Sequence, residues 1–224
     1  TNMAKQYFRN IPDVDYINRT KDGQFISNYT QVKNFFKRGK LREDIFQDLT
    51  VFQKYNIKGD DRPDNVANEV YGSADLDWVV MMSNNMINVY NEWPMTQASL
   101  DIFLMDKYGD IETLNETHHY ESNEVKDTTG VIIFPKGVQV SAAQSVSYHE
   151  PMTDEQVVVN PISRAVTNYE YEENINNEKR RIYLIKPMYL SVVFDDLEEM
   201  MVYKEGSTQF VSETLKRADD IRLY

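Results

Sequence analysis

The clearest alternation of apolar and polar positions lies in residues 51–58, at the start of a compact pattern that runs to residue 94. Alternation with β-branched and aromatic side chains predicts a half-buried strand. Gly59 is expected to end the strand, because a residue without Cβ adopts a positive φ at little cost. Asp61 is then expected to cap a helix that has Pro63 in its first turn.

Two short helices complete this pattern. Apolar residues four apart share one face of the first helix, and Gly72 is placed to end it in a left-handed conformation. Ser73 is expected to cap the second helix, and the pattern closes at Trp93-Pro94. Trp78 and Trp93 are the only tryptophans of the chain, and packing in a core or an interface explains them better than ligand stacking.

Helices and strands are mixed beyond this pattern, so the predicted fold class is α+β. Thr96 predicts the cap of a helix over residues 97–107 that ends at Gly109. Residues 141–161 have no clear period and predict a loop. Short strands separated by turn residues are expected at 117–121, 131–134 and 138–140.

The C-terminal third has a more regular pattern. Residues 167–181 predict a mostly polar helix with a thin apolar stripe at Tyr171 and Ile175. Residues 182–185 predict a short apolar strand. Residues 188–203 carry apolar side chains at helical spacing with carboxylates between them, which predicts an amphipathic helix.

The N-terminal part differs from the rest in pattern and charge. Residues 1–30 predict an irregular arm, with a turn at Asp22-Gly23, that a partner or the next domain would order. Residues 31–46 predict a basic helix, which is either a contact surface for an acidic partner or a solvated face. Its basic side chains are Lys33, Lys37, Arg38, Lys40 and Arg42.

Composition narrows the possible functions. The 224-residue chain has a formal net charge of −12, which disfavours sequence-independent nucleic-acid binding. It has no cysteine, so disulfides, thiol nucleophiles and cysteine-based metal sites are excluded. No apolar run approaches the ~20 residues that cross a bilayer. No signal-peptide pattern follows Thr1, so we expect neither membrane insertion nor export. The 15 tyrosines suit protein contact surfaces.

No segment has the residue spacing of a catalytic or metal site. His118 and His119 are not expected to share a metal, because adjacent residues of a strand point to opposite faces. The chain lacks G-x-S-x-G, P-loop, G-x-G-x-x-G and H-E-x-x-H motifs. A Ser-His-Asp arrangement depends on geometry, so composition leaves it open. We expect no enzymatic activity, no cofactor and no metal.

Residues 51–94 resemble the LysM family, in which a strand ending in Tyr-x-Ile-x-x-Gly-Asp precedes two helices separated by Tyr-Gly. The ordinary Thr-Leu and Gly-rich return strand are replaced by Asp61-Arg62-Pro63 and Glu92-Trp93-Pro94, which argues against N-acetylglucosamine binding. The matching residues are Tyr55, Ile57, Gly59, Asp60, Tyr71 and Gly72, followed by Asn84 or Asn85, with one residue instead of two between Ile57 and Gly59.

A more extensive resemblance is to the LysM-like baseplate wedge subunits of contractile-tailed bacteriophages. It covers residues 30–203 in order, without the N-terminal arm and residues 141–161. The shared motifs are Gly59-x-x-Arg62-Pro63, Val70-Tyr71-Gly72, Leu76-x-Trp78-Val79, Asn84 with Trp93-Pro94, Asp106-Lys107-Tyr108, His118-His119-Tyr120-Glu121, Asn168-Tyr169-Glu170-Tyr171-Glu172, Lys179-Arg180-Arg181-Ile182 with Leu184, and Lys186-Pro187-x-Tyr189-Leu190.

This resemblance implies a structural subunit of the virion, assembled in the host cytoplasm, that clips neighbouring wedges together around the tail hub. Its partners would be other wedge and hub-proximal tail proteins. The fold implied is a LysM-like βααβ module, followed by a small hairpin-rich segment and C-terminal helices. We expect an arm and basic helix in residues 1–48, the LysM-like domain with a trailing helix in 49–108, and an α+β region in 109–224.

Side-chain chemistry selects seven residues as predicted partner contacts: Arg62, Trp78, Trp93, Lys37, Arg38, Tyr169 and Tyr171. Two other functions compete with the clip. A glycan-binding LysM module would bind peptidoglycan through groups around Asp60, Asp61, Asn84 and Asn85. A wall-degrading enzyme would need an acid or nucleophile setting in residues 100–224, and none is found there.

Overall fold

The computed structural model describes residues 6–17, 29–206 and 209–217. The chain divides into two compact units: unit 1 comprises Thr1–Trp93 and Arg181–Tyr224, and unit 2 comprises Pro94–Arg180. The boundaries expected after residues 48 and 108 lie inside these units. The turn predicted at Asp22-Gly23 lies outside the described residues. Helices and several small sheets are mixed, which confirms the α+β class.

Helices and strands occur in runs along the chain: α3 to α7 follow one another, and β4 to β10 come next. The helices are α1 Tyr7–Asn10, α2 Glu43–Gln47, α3 Pro63–Tyr71, α4 Asp77–Ser83, α5 Val89–Glu92, α6 Gln97–Tyr108, α7 Ile111–Asn115, α8 Asn168–Glu178 and α9 Leu190–Met201. The strands are β1 Asp13–Ile17, β2 Tyr29–Lys33, β3 Phe52–Asn56, β4 Thr117–Ser122, β5 Val125–Lys126, β6 Ile132–Phe134, β7 Gln139–Val140, β8 Val146–His149, β9 Gln156–Val159, β10 Ser163–Thr167, β11 Arg181–Ile185, β12 Phe210–Ser212 and β13 Leu215–Arg217.

The centre of unit 1 is a strand–helix–helix–strand arrangement. Strand β3 leads into α3 and α4, and β3 pairs antiparallel with β11, from Phe52 opposite Ile185 to Asn56 opposite Arg181. The first strand and both helices lie where the sequence predicted them. The strand that closes the arrangement does not lie at Trp93-Pro94, where the predicted pattern ends. The closing strand is β11, whose buried Ile182 and Leu184 complete the core.

The ends of α3 test the predicted turn chemistry. Gly72 has φ 75° and ends the helix, as predicted, because glycine takes the left-handed conformation without a Cβ clash. The predicted cap at Asp61 is wrong. Arg62 occupies the capping position without a side-chain hydrogen bond, and Pro63 begins the helix. Ser73 likewise makes no side-chain cap.

A four-stranded sheet, in the order β12-β13-β1-β2, forms a second part of unit 1. Strand β1 runs parallel to β13 and antiparallel to β2. The described part of the N-terminal arm is therefore paired, in contrast to the irregular arm that was predicted. The basic helix over residues 31–46 is also wrong: β2 occupies its start, and only Glu43–Gln47 are α-helical.

The segment between β2 and α2 turns at residues 35–36 and then continues without regular structure, packed closely at Gly39. Gly39 is buried, and its N–H donates to the Tyr7 hydroxyl over 2.9 Å. A Cβ at Gly39 would lie 2.5 Å from Leu197 Cδ1, well inside van der Waals contact. The backbone at Gly39 thus lies directly against α9, and a larger residue at this position would clash with Leu197.

Unit 2 combines a three-stranded sheet, in the order β10-β4-β7, with the ribbons β5–β6 and β8–β9. Thr96 caps α6 by accepting from the Ser99 N–H, and α6 ends at Gly109 with φ 84°, as predicted. The loop predicted over residues 141–161 is wrong, because β8 and β9 pair there. The three consecutive valines of β9 favour the extended conformation that pairing requires.

Helix α8 confirms the predicted helix but not its buried face. The expected apolar stripe was Tyr171 and Ile175, yet Ile175 is exposed. The buried residues of α8 are Glu172 and Asn176, one position further along. Their polar atoms have partners inside unit 2, which makes a buried polar stripe stable.

Candidate partner-contact surfaces

A cleft in unit 1 brings together basic side chains that are distant in sequence. It encloses about 690 Å³ between residues 37–43, the end of α9, residues 202–204 and Lys216, and we call it the basic cleft. Its cationic side chains are Lys37, Lys40, Arg42, Lys204 and Lys216, and its carboxylates are Glu43, Asp196 and Glu199. The excess of positive charge contrasts with the net charge of −12 for the whole chain.

An aromatic ring forms part of this cleft. Tyr203 is buried, and its hydroxyl accepts from Asn34 Nδ2 over 2.8 Å. The ammonium groups of Lys37 and Lys216 lie 4.8 Å and 5.0 Å from the Tyr203 ring centroid, within cation–π range. Lys37 also donates to the Val202 carbonyl over 2.8 Å.

The electrostatic setting of Lys37 is unfavourable for its charged form. Partial burial lowers the pKa of the Lys37 ammonium, and repulsion from Lys216 and Lys204 lowers it further. The predicted contact residue Lys37 therefore lies in a concentrated positive field. Arg42, by contrast, is neutralised, because its Nη1 lies 3.2 Å from Asp196 Oδ1 and its Nε lies 2.7 Å from Asp44 Oδ1.

Arg38, the next predicted contact, lies beside exposed aromatic side chains. It is exposed, and its Nη2 reaches Asn85 Oδ1 over 3.4 Å. Phe36 is fully exposed, and Phe35 is 70% exposed with its ring 6.2 Å from that of Phe8. Solvent-exposed phenylalanines next to an arginine resemble the composition of protein interfaces.

The two tryptophans are core residues of unit 1. Trp78 is 6% exposed and packs between Tyr7 and Phe194, with ring centroids 5.6 Å and 5.9 Å away. Trp93 is 7% exposed, and its Nε1 donates to the Asp61 carbonyl over 2.9 Å. Side chains this deeply buried offer a partner little surface, whereas Arg62 is 77% exposed and carries one ion pair, to Asp64.

The remaining predicted contacts, Tyr169 and Tyr171, lie on α8 in unit 2. The Tyr169 hydroxyl accepts from Gln97 Nε2 over 3.0 Å. The Tyr171 ring stacks on His118, with centroids 3.9 Å apart and an interplanar angle of 12°. Both tyrosines are half-buried, so part of each side chain is accessible to a partner.

The two adjacent histidines do not point to opposite faces of β4 as expected. Their Nδ1 atoms lie 2.9 Å apart, because a bulge in the pairing with β10 leaves His118 as an extra residue. His119 Nε2 also lies 3.2 Å from Glu121 Oε1. Within the described ranges, His, Cys, Asp and Glu side chains form no group of three or more that would hold a metal ion.

Sequence reasoning missed half of the basic cleft. Lys204 and Lys216 belong to the C-terminal part of unit 1, and Val202, which binds Lys37, lies 165 residues after it. Basic character near residue 37 was visible as a local concentration of charge. Its completion by a distant hairpin depends on the pairing of β13 with β1, for which the local sequence carries no signal.

Comparison with known proteins gives two matches. The family model described as base plate wedge protein 53 matches residues 7–200. The curated "Baseplate wedge protein gp53" of Enterobacteria phage T4 is 24% identical over 186 residues, covering 80% of this chain and 85% of that protein. Both matches span residues from unit 1 and unit 2, so the similarity extends well beyond the strand–helix–helix–strand part.

Proposed function

The chain belongs to the base plate wedge protein 53 family, and we propose that it joins neighbouring wedges of a bacteriophage tail baseplate. Membership makes it a structural protein of the virion tail. The observation that carries the proposal is the family match over residues 7–200, which leaves few residues outside it. The finer role, a clip that joins neighbouring wedges around the hub, is our proposal and rests on the family resemblance.

A joining subunit needs several contact surfaces, and exposed apolar side chains of both units support this role. They are large, and a complex would remove their area from water. In unit 1 they include Phe8, Phe35, Phe36, Leu49, Ile87, Tyr90 and Met188. In unit 2 they include Ile102, Ile111, Val131, Ile132, Met152 and Val158.

We propose that the β3–α3–α4–β11 arrangement is LysM-like. Two antiparallel strands flank two helices, and the order strand–helix–helix–strand agrees with that family. Unit 2 is then an insertion between the second helix and the closing strand. Residues of both strands and both helices contribute to one hydrophobic core, which holds this arrangement together.

The contact residues that we retain in this proposal are the accessible ones. Lys37, Arg38 and Arg62 present cationic groups, and Tyr169 and Tyr171 are half-buried and so partly accessible. Trp78 and Trp93 are buried in the core of unit 1 and are not retained as direct contacts. We infer that the chain acts by association and without turnover, and that its partners are other wedge and hub-proximal proteins.

Tail assembly with and without the chain tests the joining role. Phage-producing cells that lack the chain should accumulate separate wedges that sediment more slowly than closed baseplates, and purified chain added to the extract should restore closure. Closed baseplates formed without the chain would contradict the proposal.

The competing LysM function, peptidoglycan binding, is tested separately. The purified chain should stay in the supernatant when insoluble peptidoglycan is sedimented, and co-sedimentation would favour glycan binding. Among the described residues, no helix has the length and apolar character needed to span a membrane.

A further inference from the structure

We propose that the basic cleft of unit 1 receives an acidic segment of a neighbouring baseplate protein. The inference rests on the proposed function and deepens it by naming the chemistry of one partner. The segment would carry at least two carboxylates for the cleft amines, and an apolar side chain to cover the half-buried Met200.

Unpaired charge is the first argument. Among the residues that the structure describes, Lys37, Lys40, Lys204 and Lys216 form no ion pair, although they share one cleft. Other cations of unit 1 have an acidic partner, such as Lys58 with Glu69 and Lys33 with Asp13, or lie singly on the surface, such as Lys54, whereas these four amines are grouped in one cleft. Four uncompensated amines in a chain of net charge −12 favour a binding surface for anions over a random surface.

Partial desolvation is the second argument. Lys37 and Lys216 lie against the buried Tyr203 ring, so each ammonium has lost water on one side. Burial and the two neighbouring lysines lower the pKa of Lys37, which means that the free chain holds this charge at a cost. A partner's carboxylate would offset the free-energy cost of keeping Lys37 charged, because an opposite charge takes the place of the lost water.

The carboxylates of the cleft favour a peptide over a polyphosphate. Asp196 and Glu199 lie in the same cleft and would repel a continuous phosphate backbone. A peptide segment can place acidic side chains against the lysines and a polar or basic one against Glu199. The half-buried Met200 adds apolar surface to the cleft, which agrees with a partner that has side chains of mixed character.

Zero-length cross-linking tests the proposal in the assembled particle. A carbodiimide joins lysine amines directly to Asp or Glu carboxylates in contact, and mass spectrometry identifies the linked residues. In purified baseplates we expect links from cleft lysines to an acidic stretch of a different protein. Lys54 and Lys136 are exposed and lie outside the cleft, so they serve as internal controls and should give few such links.

Charge reversal by mutation tests the same contact without a cross-linking reagent. The double variant Lys204→Glu/Lys216→Glu should lower incorporation into baseplates at least about tenfold, since like charges facing an acidic partner are repelled. The matched variant Lys54→Glu/Lys136→Glu changes the net charge equally and should incorporate normally. Circular dichroism of both purified variants establishes that each is folded.

The outcomes separate the two proposals. If the chain is absent from purified baseplates, the proposed function fails. If the chain is present but its cleft amines are freely acylated there and form no cross-links, only the acidic-partner inference fails. Links from the cleft to a second copy of this chain, or release of the chain by nuclease, would also overturn the inference.

Discussion

The two units differ in what they bury. Among the described residues, unit 1 buries 20 apolar side chains and one polar one, Ser83, whereas unit 2 buries six apolar and five polar side chains. Unit 1 is therefore stabilised mainly by the hydrophobic effect. Unit 2 depends on buried polar groups whose hydrogen bonds must all form, because an unsatisfied buried group is costly.

The polar stripe of α8 makes this contrast concrete. Asn168, Glu172 and Asn176 are spaced four apart and so share one helix face. Glu172 accepts from Lys107 Nζ over 2.5 Å and from the Tyr108 hydroxyl over 3.0 Å. The Asn176 side chain accepts from the Met95 N–H and donates to the Met95 carbonyl, and Asn168 donates to the Thr113 carbonyl. Hydrogen bonds thus replace apolar packing along this face.

The largest expected effect is in the core of unit 1. Trp93→Ala should lower the free energy of unfolding by about 3–5 kcal/mol, since it removes a buried ring and leaves a cavity. Trp93→Phe keeps most of the ring but loses the bond to the Asp61 carbonyl, so its loss should be smaller. Urea unfolding of the purified chain measures both. Equal losses would mean that the hydrogen bond, and not the ring, stabilises unit 1.

In unit 2 the corresponding test removes charge. Glu172→Ala should cost about 1–2 kcal/mol, because it removes the charged acceptor that the Tyr108 hydroxyl and the Lys107 ammonium share. The control Glu178→Ala changes an exposed residue at the end of the same helix and should stay within about 0.5 kcal/mol of the parent. Hydrogen exchange of the α8 amides locates the loss. Similar exchange in the two variants would contradict the polar account of unit 2.

A substitution by an apolar residue sharpens the comparison further. Asn176→Leu places an apolar side chain on the buried face of α8. It should nevertheless lower the stability of unit 2 by about 1–3 kcal/mol, because the N–H and carbonyl of Met95 lose their hydrogen-bond partner. Thermal unfolding followed by circular dichroism measures the change. A stabilised variant would show that unit 2 tolerates apolar burial as unit 1 does.

The smallest expected effect is a pH dependence of unit 1. Burial raises the pKa of Tyr71, whose hydroxyl donates to the Ile185 carbonyl over 2.9 Å. The native state then holds the proton more tightly than the unfolded state, so the stabilisation is complete below the unfolded pKa of about 10 and is lost as pH rises above it. Tyr71→Phe should cost about 1 kcal/mol at neutral pH and flatten the alkaline decline. An unchanged decline in the variant would assign it to other groups.

Local chemistry explains which elements the sequence predicted. Gly72, Thr96 and Gly109 set helix ends through their own backbone or side-chain geometry, so α3 and α6 were correct within a few residues. Non-local pairing explains the failures. Strand β11 pairs with β3, which lies more than 120 residues earlier in the chain, and the local pattern of apolar residues does not indicate this pairing.

Polar burial explains the rest. A helix whose inner face is Asn168, Glu172 and Asn176 has no apolar period to detect, so the stripe was assigned to Tyr171 and Ile175. Of the two kinds of packing expected for the tryptophans, in a core or in an interface, both residues pack in the core of unit 1. The concentration of basic residues in 31–46 was visible in the sequence. The cleft that they form also contains Lys216, which belongs to β13, and the pairing of β13 with β1 could not be predicted.

The most direct test of the joining role is electron cryo-microscopy of assembled baseplates that contain the chain. The account predicts density for each copy in contact with subunits of two neighbouring wedges, with the basic cleft against an acidic segment of one of them. Copies that contact a single wedge, with both units otherwise facing solvent, would contradict it.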